Sequence, residues 1–500
     1  MRSSWAIGDV DLYLEPGPVR GRRVGLERAL RAAVVDGRLA PGTRLPSSRT
    51  LAVDLAMARN TVAEAYAQLV AEGYLTAHRG AGTVVAERPA DPVPVPVYAR
   101  ASTPRFDLRP GRPDLSAFPR ARWAAAQRRA LAAAGSDAFW PAADPRGRIE
   151  LRERLAEYLG RARGVRTRAD RIVVCAGYTQ ALAVLGHALA ARGARRIALE
   201  DPGLPFLREI VARTGLGVDS LAVDEHGARI GGDADAIVLT PANQSPLGLT
   251  LHPDRRAAAL RWAAETGGVV IEDDYDGEFR YDRHPVGALQ GLGADHVVYA
   301  GSASKMLSPG LRLGWLALPP HLLDDVLAVL KRPELAVGTL EQLTLAEFMA
   351  AGDLDRHVRR SRRVYRDRRD RLVAALAREV PRLRVRGVAA GLQILLELPP
   401  DGPDEEEAVA YLARRGVAVH RLGWYRHDRS DDRAPGLVVG YAAPSGHAFA
   451  GTLDALVTGL AELYGGTSPS GGWGRAYLGG AAPEAGPPAA PTRQGDQTRP

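Results

Sequence analysis

The 500-residue sequence predicts a multidomain chain: a small N-terminal helical head closed by a β-hairpin, then a large α/β body with a smaller α+β lobe behind it. The length exceeds a single compact domain. A Pro-rich stretch follows the amphipathic segments of the head, and beyond it apolar runs of strand length alternate with helical patterns. Apolar residues make up 46% and charged residues 25%, ordinary globular usage, so the bulk of the chain is expected to fold.

In the head, Leu26, Leu30, Ala33 and Val34 recur at helical spacing, and Gly37 stops that helix. Pro46-Ser47-Ser48 offers an N-cap before Leu51, Ala52 and Leu55. Asn60-Thr61 opens a third amphipathic run carrying Val62, Ala65, Tyr66, Leu69 and Val70, and Gly73 closes it. Tyr74-Leu75 and Thr83-Val84-Val85 read as two short strands around a glycine-rich turn. Three helices and a hairpin make a winged helix-turn-helix, placed over residues 1–88.

Such a motif enters the DNA major groove by the N-terminal end of its second helix. Here that end is Arg59-Asn60-Thr61, where Arg can fork onto guanine and Asn onto adenine. Arg44, Ser48 and Arg49 stand ready for phosphates, and Arg79 and Gly80 of the wing for the backbone or the minor groove. The expected partner is double-stranded operator DNA. Taken singly, Arg49 and Arg59 also read as plain solvated helix positions.

Residues 89–104, with Pro-Ala-Asp-Pro-Val-Pro-Val-Pro-Val, read as a semi-rigid extended linker. The body is expected over 105–465, a large lobe at about 140–335 and a small one at about 336–465. Its strands are Ile172–Cys175, Arg196–Leu199, Ala236–Leu239, Val269–Ile271 and Val297–Tyr299, an alternation with helices that argues for a largely parallel sheet. The later segment mixes an Arg-rich helix, Arg356–Arg371, with strands Gln393–Leu398 and Leu437–Tyr441. Residues 466–500 are Gly, Pro, Ala and Ser with little apolar pattern, so disorder is expected there.

A net charge of +8 and a pI near 9.7 admit an anionic partner without choosing one. No apolar run reaches signal-peptide or membrane-spanning length, so the expected location is cytoplasmic, with no membrane partner. The lone Cys175, inside an apolar run, excludes an intrachain disulfide and a cysteine zinc site. The basic residues are nearly all arginine, and lysine occurs only at positions 305 and 331. A lysine kept in so arginine-biased a chain asks for a reason. Its amine can lose a proton and attack an aldehyde, which a guanidinium cannot do.

Lys305 lies in Gly301-Ser-Ala-Ser-Lys, a small-residue loop after a strand. Asp273 and Tyr275 follow another strand in Glu-Asp-Asp-Tyr-Asp, and Asn243 a third. Gly177-Tyr178-Thr179 is a strand-to-helix turn whose free N–H groups favour an anion, with Ser302 and Arg312 placed to complete the site. These types match what pyridoxal 5′-phosphate (PLP) needs: an amine for its aldehyde, a carboxylate on the ring nitrogen, donors to the phenolic oxygen and a phosphate cradle. The acids could instead bind Mg²⁺, but no Gly-rich phosphate loop with lysine accompanies them, and no metal site is expected.

Gly37 to Ala52, Arg59 to Leu75 and Arg79 to Thr83 resemble the winged-helix domain of the GntR regulators. Asp107 to Asp114, Asp144-Pro-Arg-Gly, Glu200-Asp-Pro-Gly, Thr240-Pro-Ala-Asn-Gln, Glu272 to Asp276, Ser304-Lys and Leu311 to Trp315 resemble fold-type I aminotransferases, and the two together resemble the MocR family of PLP-dependent regulators. The resemblance implies the type I PLP-dependent transferase fold and a homodimer, often domain-swapped. It gives Lys305 the aldimine role, Asp273 the pyridine nitrogen, Tyr275 the phenolic oxygen, and Tyr178, Thr179, Ser302 and Arg312 phosphate contacts.

The chain departs from the pattern at Leu204, where an aromatic residue is common, at Asn243, where histidine is common, and at Ala142, where a tyrosine usually stands. At Val438 aminotransferases carry an arginine for the substrate carboxylate. The expected function is a transcription regulator sensing an amine, an amino acid or PLP itself. A working aminotransferase is the alternative, and a body serving only as a dimerisation scaffold the third.

Overall fold

The structure is a computed structural model describing residues 4–7, 10–13, 21–78, 82–87, 104–140, 143–282, 286–427 and 434–465. The expected tail at 466–500 and nearly all of the expected linker fall outside the described residues. The chain divides into two compact units, 1–101 and 102–500.

The first unit opens with a hairpin that the sequence did not announce, β1 (Ser4–Ile7) against β2 (Val10–Tyr13). Helices Arg22–Val35, Ser48–Asp54 and Arg59–Ala71 follow. The first stops where Gly37 takes φ 73°, a conformation that costs glycine nothing. The cap of the second falls on Ser47, whose hydroxyl accepts the Thr50 N–H at 3.1 Å. The third starts at Arg59, one residue ahead of the expected opening. β3 (Leu75–His78) pairs antiparallel with β4 (Gly82–Val85), and Arg44 bridges to Val84. Leu26, Leu30, Leu51, Val62, Ala65 and Leu69 are buried in one core, so each helix turns its apolar stripe inward.

The second unit begins with β5 (Phe106–Asp107) and builds its main sheet from β6 (Ile172–Cys175), β7 (Arg196–Asp201), β8 (Gly217–Asp224), β9 (Gly227–Ala228), β10 (Ala236–Leu239), β11 (Val269–Asp273), β12 (Val297–Ser302) and β13 (Gly314–Ala317). The order is β6-β13-β12-β11-β10-β7-β8-β9. From β12 to β8 every pairing is parallel, whereas β13 runs antiparallel to both neighbours. The short loop through Lys305 is no crossover, so the chain must return beside β12 in the opposite sense.

Helices cover both faces. Val173 and Cys175 pack with Leu182, Leu185 and Leu189 on one side, while Ile172 and Val174 meet Leu151, Leu155 and Leu159 on the other. Strands buried on both faces read as unbroken apolar runs, which is how they stood in the sequence. Burial pushes the Cys175 thiol up to about 12, leaving it an inert core residue.

A smaller antiparallel sheet is formed from β14 (Arg384–Arg386), β15 (Gln393–Glu397), β17 (His420–Arg421) and β18 (Gly436–Gly440), in the order β14-β15-β18-β17. Beside it, β16 (Val417–Ala418) pairs parallel with β5. The helix Asp353–Glu379 gives Leu354 and Val358 to the core under the large sheet and Tyr365, Leu372 and Leu376 to that of the small one. Among the described residues no helix is long and apolar enough to cross a membrane.

Candidate functional site

The parallel strands deliver their C-terminal ends to one cavity of about 410 Å³, the position where open α/β sheets hold ligands. Lys305 enters it from the helix Ala303–Met306 after β12, its Nζ donating to the Gly111 carbonyl. Burial pushes this amine below its ordinary value, against the pull of Asp276 and Asp273. Asp273, at the end of β11, is 7% exposed, and its carboxyl receives no hydrogen bond from any described residue. Burial, then the nearby Asp274, drives its carboxyl well up.

The acids around Asp273 do not converge on a metal. Glu272 accepts the Leu289 and Gln290 N–H groups at 2.8 and 2.9 Å, Asp274 pairs with Arg163 and the Tyr299 hydroxyl, and Asp276 accepts the Asn243 side-chain amide at 2.9 Å. Successive side chains along a strand point to opposite faces, so a run of acids is dealt out in different directions. Among the described residues, Asp224, Glu225 and His226 come close enough together for an ion, and there Asp224 is held by Arg229 and Arg255.

Tyr275 reaches the cavity with its hydroxyl donating to the Asn243 backbone carbonyl at 2.9 Å, while the Asn243 Oδ1 is buried with no partner. Gly177 takes φ 91° at the N-cap of the helix Tyr178–Ala191, so Tyr178 and Thr179 occupy the first turn with outward N–H groups. The Arg312 guanidinium lies beside Gly177 and makes no hydrogen bond or ion pair to a described residue. A side chain at Gly314 would sit 2.8 Å from the Gly177 Cα and 3.1 Å from the Gly301 carbonyl. The Ser302 hydroxyl accepts the Ser304 N–H at 3.4 Å, and the Tyr178 hydroxyl is buried without a partner.

The Asp273 carboxyl, the Tyr178 hydroxyl, the Arg312 guanidinium at a helix start and the amine of Lys305 face one space, with Asn243 held behind Tyr275. They fit a flat group that carries a phosphate, a phenolic oxygen and a ring nitrogen.

The sequence reading left other lining residues without a role. Arg109, Gly111 and Arg112 arrive through the β5–β16 pairing, and Glu200 and Thr240 from the ends of β7 and β10. Glu200, buried at the cavity wall, accepts from the Thr240 N–H and hydroxyl, and burial pushes it up to about 7. His420, Trp424 and Tyr425 form an aromatic corner, with Trp424 and Tyr425 edge-on at 4.9 Å. The Glu-Asp-Pro-Gly motif was the one signal for Glu200; two-residue strands such as β5 leave no signal. Val438, buried on β18, packs with Leu395, Leu422 and Tyr425, and Leu204 joins the same cluster. Ala142 lies outside the described residues.

In the head, Arg44, Arg49, Arg59 and Asn60 are exposed, and Ser48 and Thr61 half-buried. Arg23, Arg31 and Arg38 are tied to Glu27, Glu72 and Asp36, whereas Arg44, Arg49, Arg59 and Asn60 make no side-chain bond to a described residue. Arg79 and Gly80 lie outside the described residues.

Residues 23–85 match the gntR family of bacterial regulatory proteins and residues 106–428 match aminotransferase class I and II. The chain is 32% identical to the pyridoxine biosynthesis transcriptional regulator PdxR of Corynebacterium glutamicum, covering 87% of this chain and 95% of the relative. It is 31% identical to the probable rhizopine catabolism regulatory protein MocR of Rhizobium meliloti, covering 83% and 89%. The chain belongs to the MocR family.

The fold of this MocR-family body is that of solved aminotransferases. A kynurenine aminotransferase of Pyrococcus horikoshii matches with a TM-score of 0.64 at 23% identity over 72% of this chain and 92% of that one. The α-aminoadipate aminotransferase of Thermus thermophilus matches at 0.62, 24%, 71% and 92%. PLP is the cofactor of the class I and II family, and the side chains facing the cavity of this MocR-family chain fit it.

Proposed function

We propose that this chain is a PLP-binding, DNA-binding transcription regulator whose cavity senses a small amine, an amino acid or PLP itself. One observation carries the reading: a single MocR-family chain holds both an unpaired arginine and asparagine surface at a recognition helix and a cavity whose unsatisfied groups match one cofactor. Lys305 would be the point of covalent attachment. Asp273 would hold the proton on the ring nitrogen, and Tyr275 with Asn243 would orient the phenolic oxygen. The phosphate would rest on Gly177, Tyr178, Thr179, Ser302 and Arg312. Bound there, PLP supplies an aldehyde that reacts with amines and a ring that withdraws electrons.

The protein's part is to bind, to hold that proton and to keep the amine of Lys305 desolvated. Arg59, Asn60 and Thr61 would read bases, with Arg44, Ser48 and Arg49, and Arg79 and Gly80 of the wing, on the backbone. A cytoplasmic homodimer, in the domain-swapped arrangement, supplies two heads for two half-sites. A working aminotransferase is disfavoured by Val438, because β18 offers no cation to a substrate carboxylate.

Purified protein is expected to show a visible absorption band with PLP that Lys305→Ala lacks; a wild type that gains no band on PLP addition would overturn the cofactor assignment. Binding to its own upstream DNA is expected to weaken with salt, and Arg59→Ala or Asn60→Ala to lose about tenfold or more in affinity. Unchanged affinity and site preference in both variants would place the reading surface elsewhere.

A further inference from the structure

Asp107 ends the two-residue strand β5, and two guanidinium groups converge on its one carboxylate. Arg109 holds it as a fork, Nε to Oδ1 at 2.8 Å and Nη2 to Oδ2 at 2.7 Å, and this fork alone neutralises the acid. Arg112 adds a single contact, Nη1 to Oδ2 at 2.7 Å, and its Nε and Nη2 have no acceptor among the described residues. The corner therefore carries a surplus positive charge, on a side chain that is 50% exposed and lines the cavity.

The backbone that carries Arg112 is pinned on both sides. Phe106 and Leu108 donate to the Gly416 and Ala418 carbonyls at 2.9 Å, and the Gly440 N–H donates to the Leu108 carbonyl at 2.7 Å. Further on, the Asp114 carboxylate accepts from Arg368 at 2.9 Å in a buried pair, and the Asp114 N–H donates to the Tyr365 hydroxyl at 3.0 Å. Between these anchors the chain turns at Gly111, φ 71°, whose carbonyl accepts the Lys305 amine. A side chain at Gly111 would lie 3.2 Å from the Lys305 Nζ. Arg112 is thus the next residue after the carbonyl that the amine touches, on a segment ordered before any ligand arrives.

The other arginines of the cavity are placed differently. Arg312 stands at Gly177, in the phosphate cradle. Arg208, 14% exposed, donates through Nη2 to the Tyr425 carbonyl at 2.8 Å and faces Asp201 at 3.5 Å, one charge for one. Glu200 and Asp273, which line the cavity, are raised by burial toward their neutral form, so they oppose an anion less than ionised carboxylates would.

We propose that the effector is an amino acid rather than a plain amine, and that Arg112 selects it by taking its carboxylate on the free edge of the guanidinium. Nε and Nη2 share one edge of that planar group, so they can hold both carboxylate oxygens while Nη1 keeps its bond to Asp107. With Val438 buried on β18, the grip comes from the segment after β5. A carboxylate there exchanges water for two charge-assisted donors, which an amine of the same body without a carboxylate cannot use. The proposal rests on the reading of this cavity as the effector site and names the residue that discriminates among the amines it admits.

The test uses the full-length protein loaded with PLP and matched pairs, each amino acid beside the amine that lacks its carboxylate: L-leucine and 3-methylbutylamine, L-phenylalanine and 2-phenylethylamine, 5-aminopentanoate and butylamine. Affinity is read from the change in the visible band and, independently, by titration calorimetry. In at least one pair the amino acid is expected to bind about tenfold or more tighter than its amine, and Arg112→Gln to bring that ratio close to one by weakening the amino acid alone. Arg112→Lys, which keeps the charge without the fork, is expected to restore part of the ratio. A general disturbance of the cavity would weaken both members and leave the ratio where it was. Amines that bind as well as their amino acids in every pair, or a ratio that survives Arg112→Gln, overturn the proposal while the effector site stands. Binding of no member of any pair overturns both. Absence of any cofactor band overturns the cofactor assignment instead, and the calorimetric ratio of amino acid to amine still decides this one.

Discussion

Glu200 sits at the end of β7 with its carboxyl enclosed, and burial raises it from the ordinary 4.5 to about 7 despite its bonds to Thr240. A carboxyl raised on folding is stabilising in its neutral form. Its contribution is complete below about 4.5 and is lost as pH climbs through about 7. The Tm of Glu200→Gln should therefore gain on wild type as pH goes from about 5 to about 8; a gap that does not move with pH would mean that the carboxyl is not raised. Arg312 has no side-chain partner among the described residues to lose, so Arg312→Leu should leave the fold intact. It should raise the PLP Kd by about ten- to a hundredfold in a spectroscopic titration, the worth of a charge-assisted bond. Asp273, Tyr275 and Lys305 stood out in the sequence because their residue types match one chemistry, and the structure brings all three to one cavity. Glu200 and Arg109 stood in segments that carried the resemblance but received no role, because acids and arginines are common and their relevance comes from where strands end.

Ser47 alone accepts the first-turn N–H of its helix by side chain, and Ser47→Ala should cost the head about 1 kcal/mol, seen as a lower unfolding midpoint. Gly314→Ala is a test at the sheet. The added methyl would press on Gly177 and Gly301, costing about 1–3 kcal/mol and displacing the helix start, so PLP affinity should fall with stability. If affinity holds, the glycine corner does not position the phosphate site. The strands buried on both faces, β6, β7, β10, β11 and β12, declared themselves as apolar runs, and the head helices by spacing and stop residues; β8, the longest of the sheet but mostly half-buried, carried no such run and was not announced. β13, no shorter than β6 or β10, was hidden because it follows Lys305 through a short loop, and its direction is dictated by that loop. β5 and β16 are two residues each and exist only through their pairing with one another.

At the scale of the molecule, the proposed sensing requires that an effector and the DNA be coupled through one free energy. If the effector changes operator affinity by some factor, operator DNA must change effector affinity by the same factor. Titrating PLP with and without operator DNA, and DNA with and without PLP, should give equal ratios; unequal ratios mean that the two measurements do not share one binding site or one set of states. Replacing Arg49, which has no protein partner among the described residues, should lower the slope of log affinity against log salt by about 1 without altering site preference.

Lys305 lies within the cavity and Lys331 is exposed. With no other lysine side chain in the sequence, a protease that cuts only after lysine releases three peptides from a chain whose Lys305 nitrogen is free. Once that nitrogen has been alkylated it releases two. The ratio of the joined to the separated peptide around position 305 thus reports, by mass alone and without any spectrum, what fraction of the protein has been modified at its cavity.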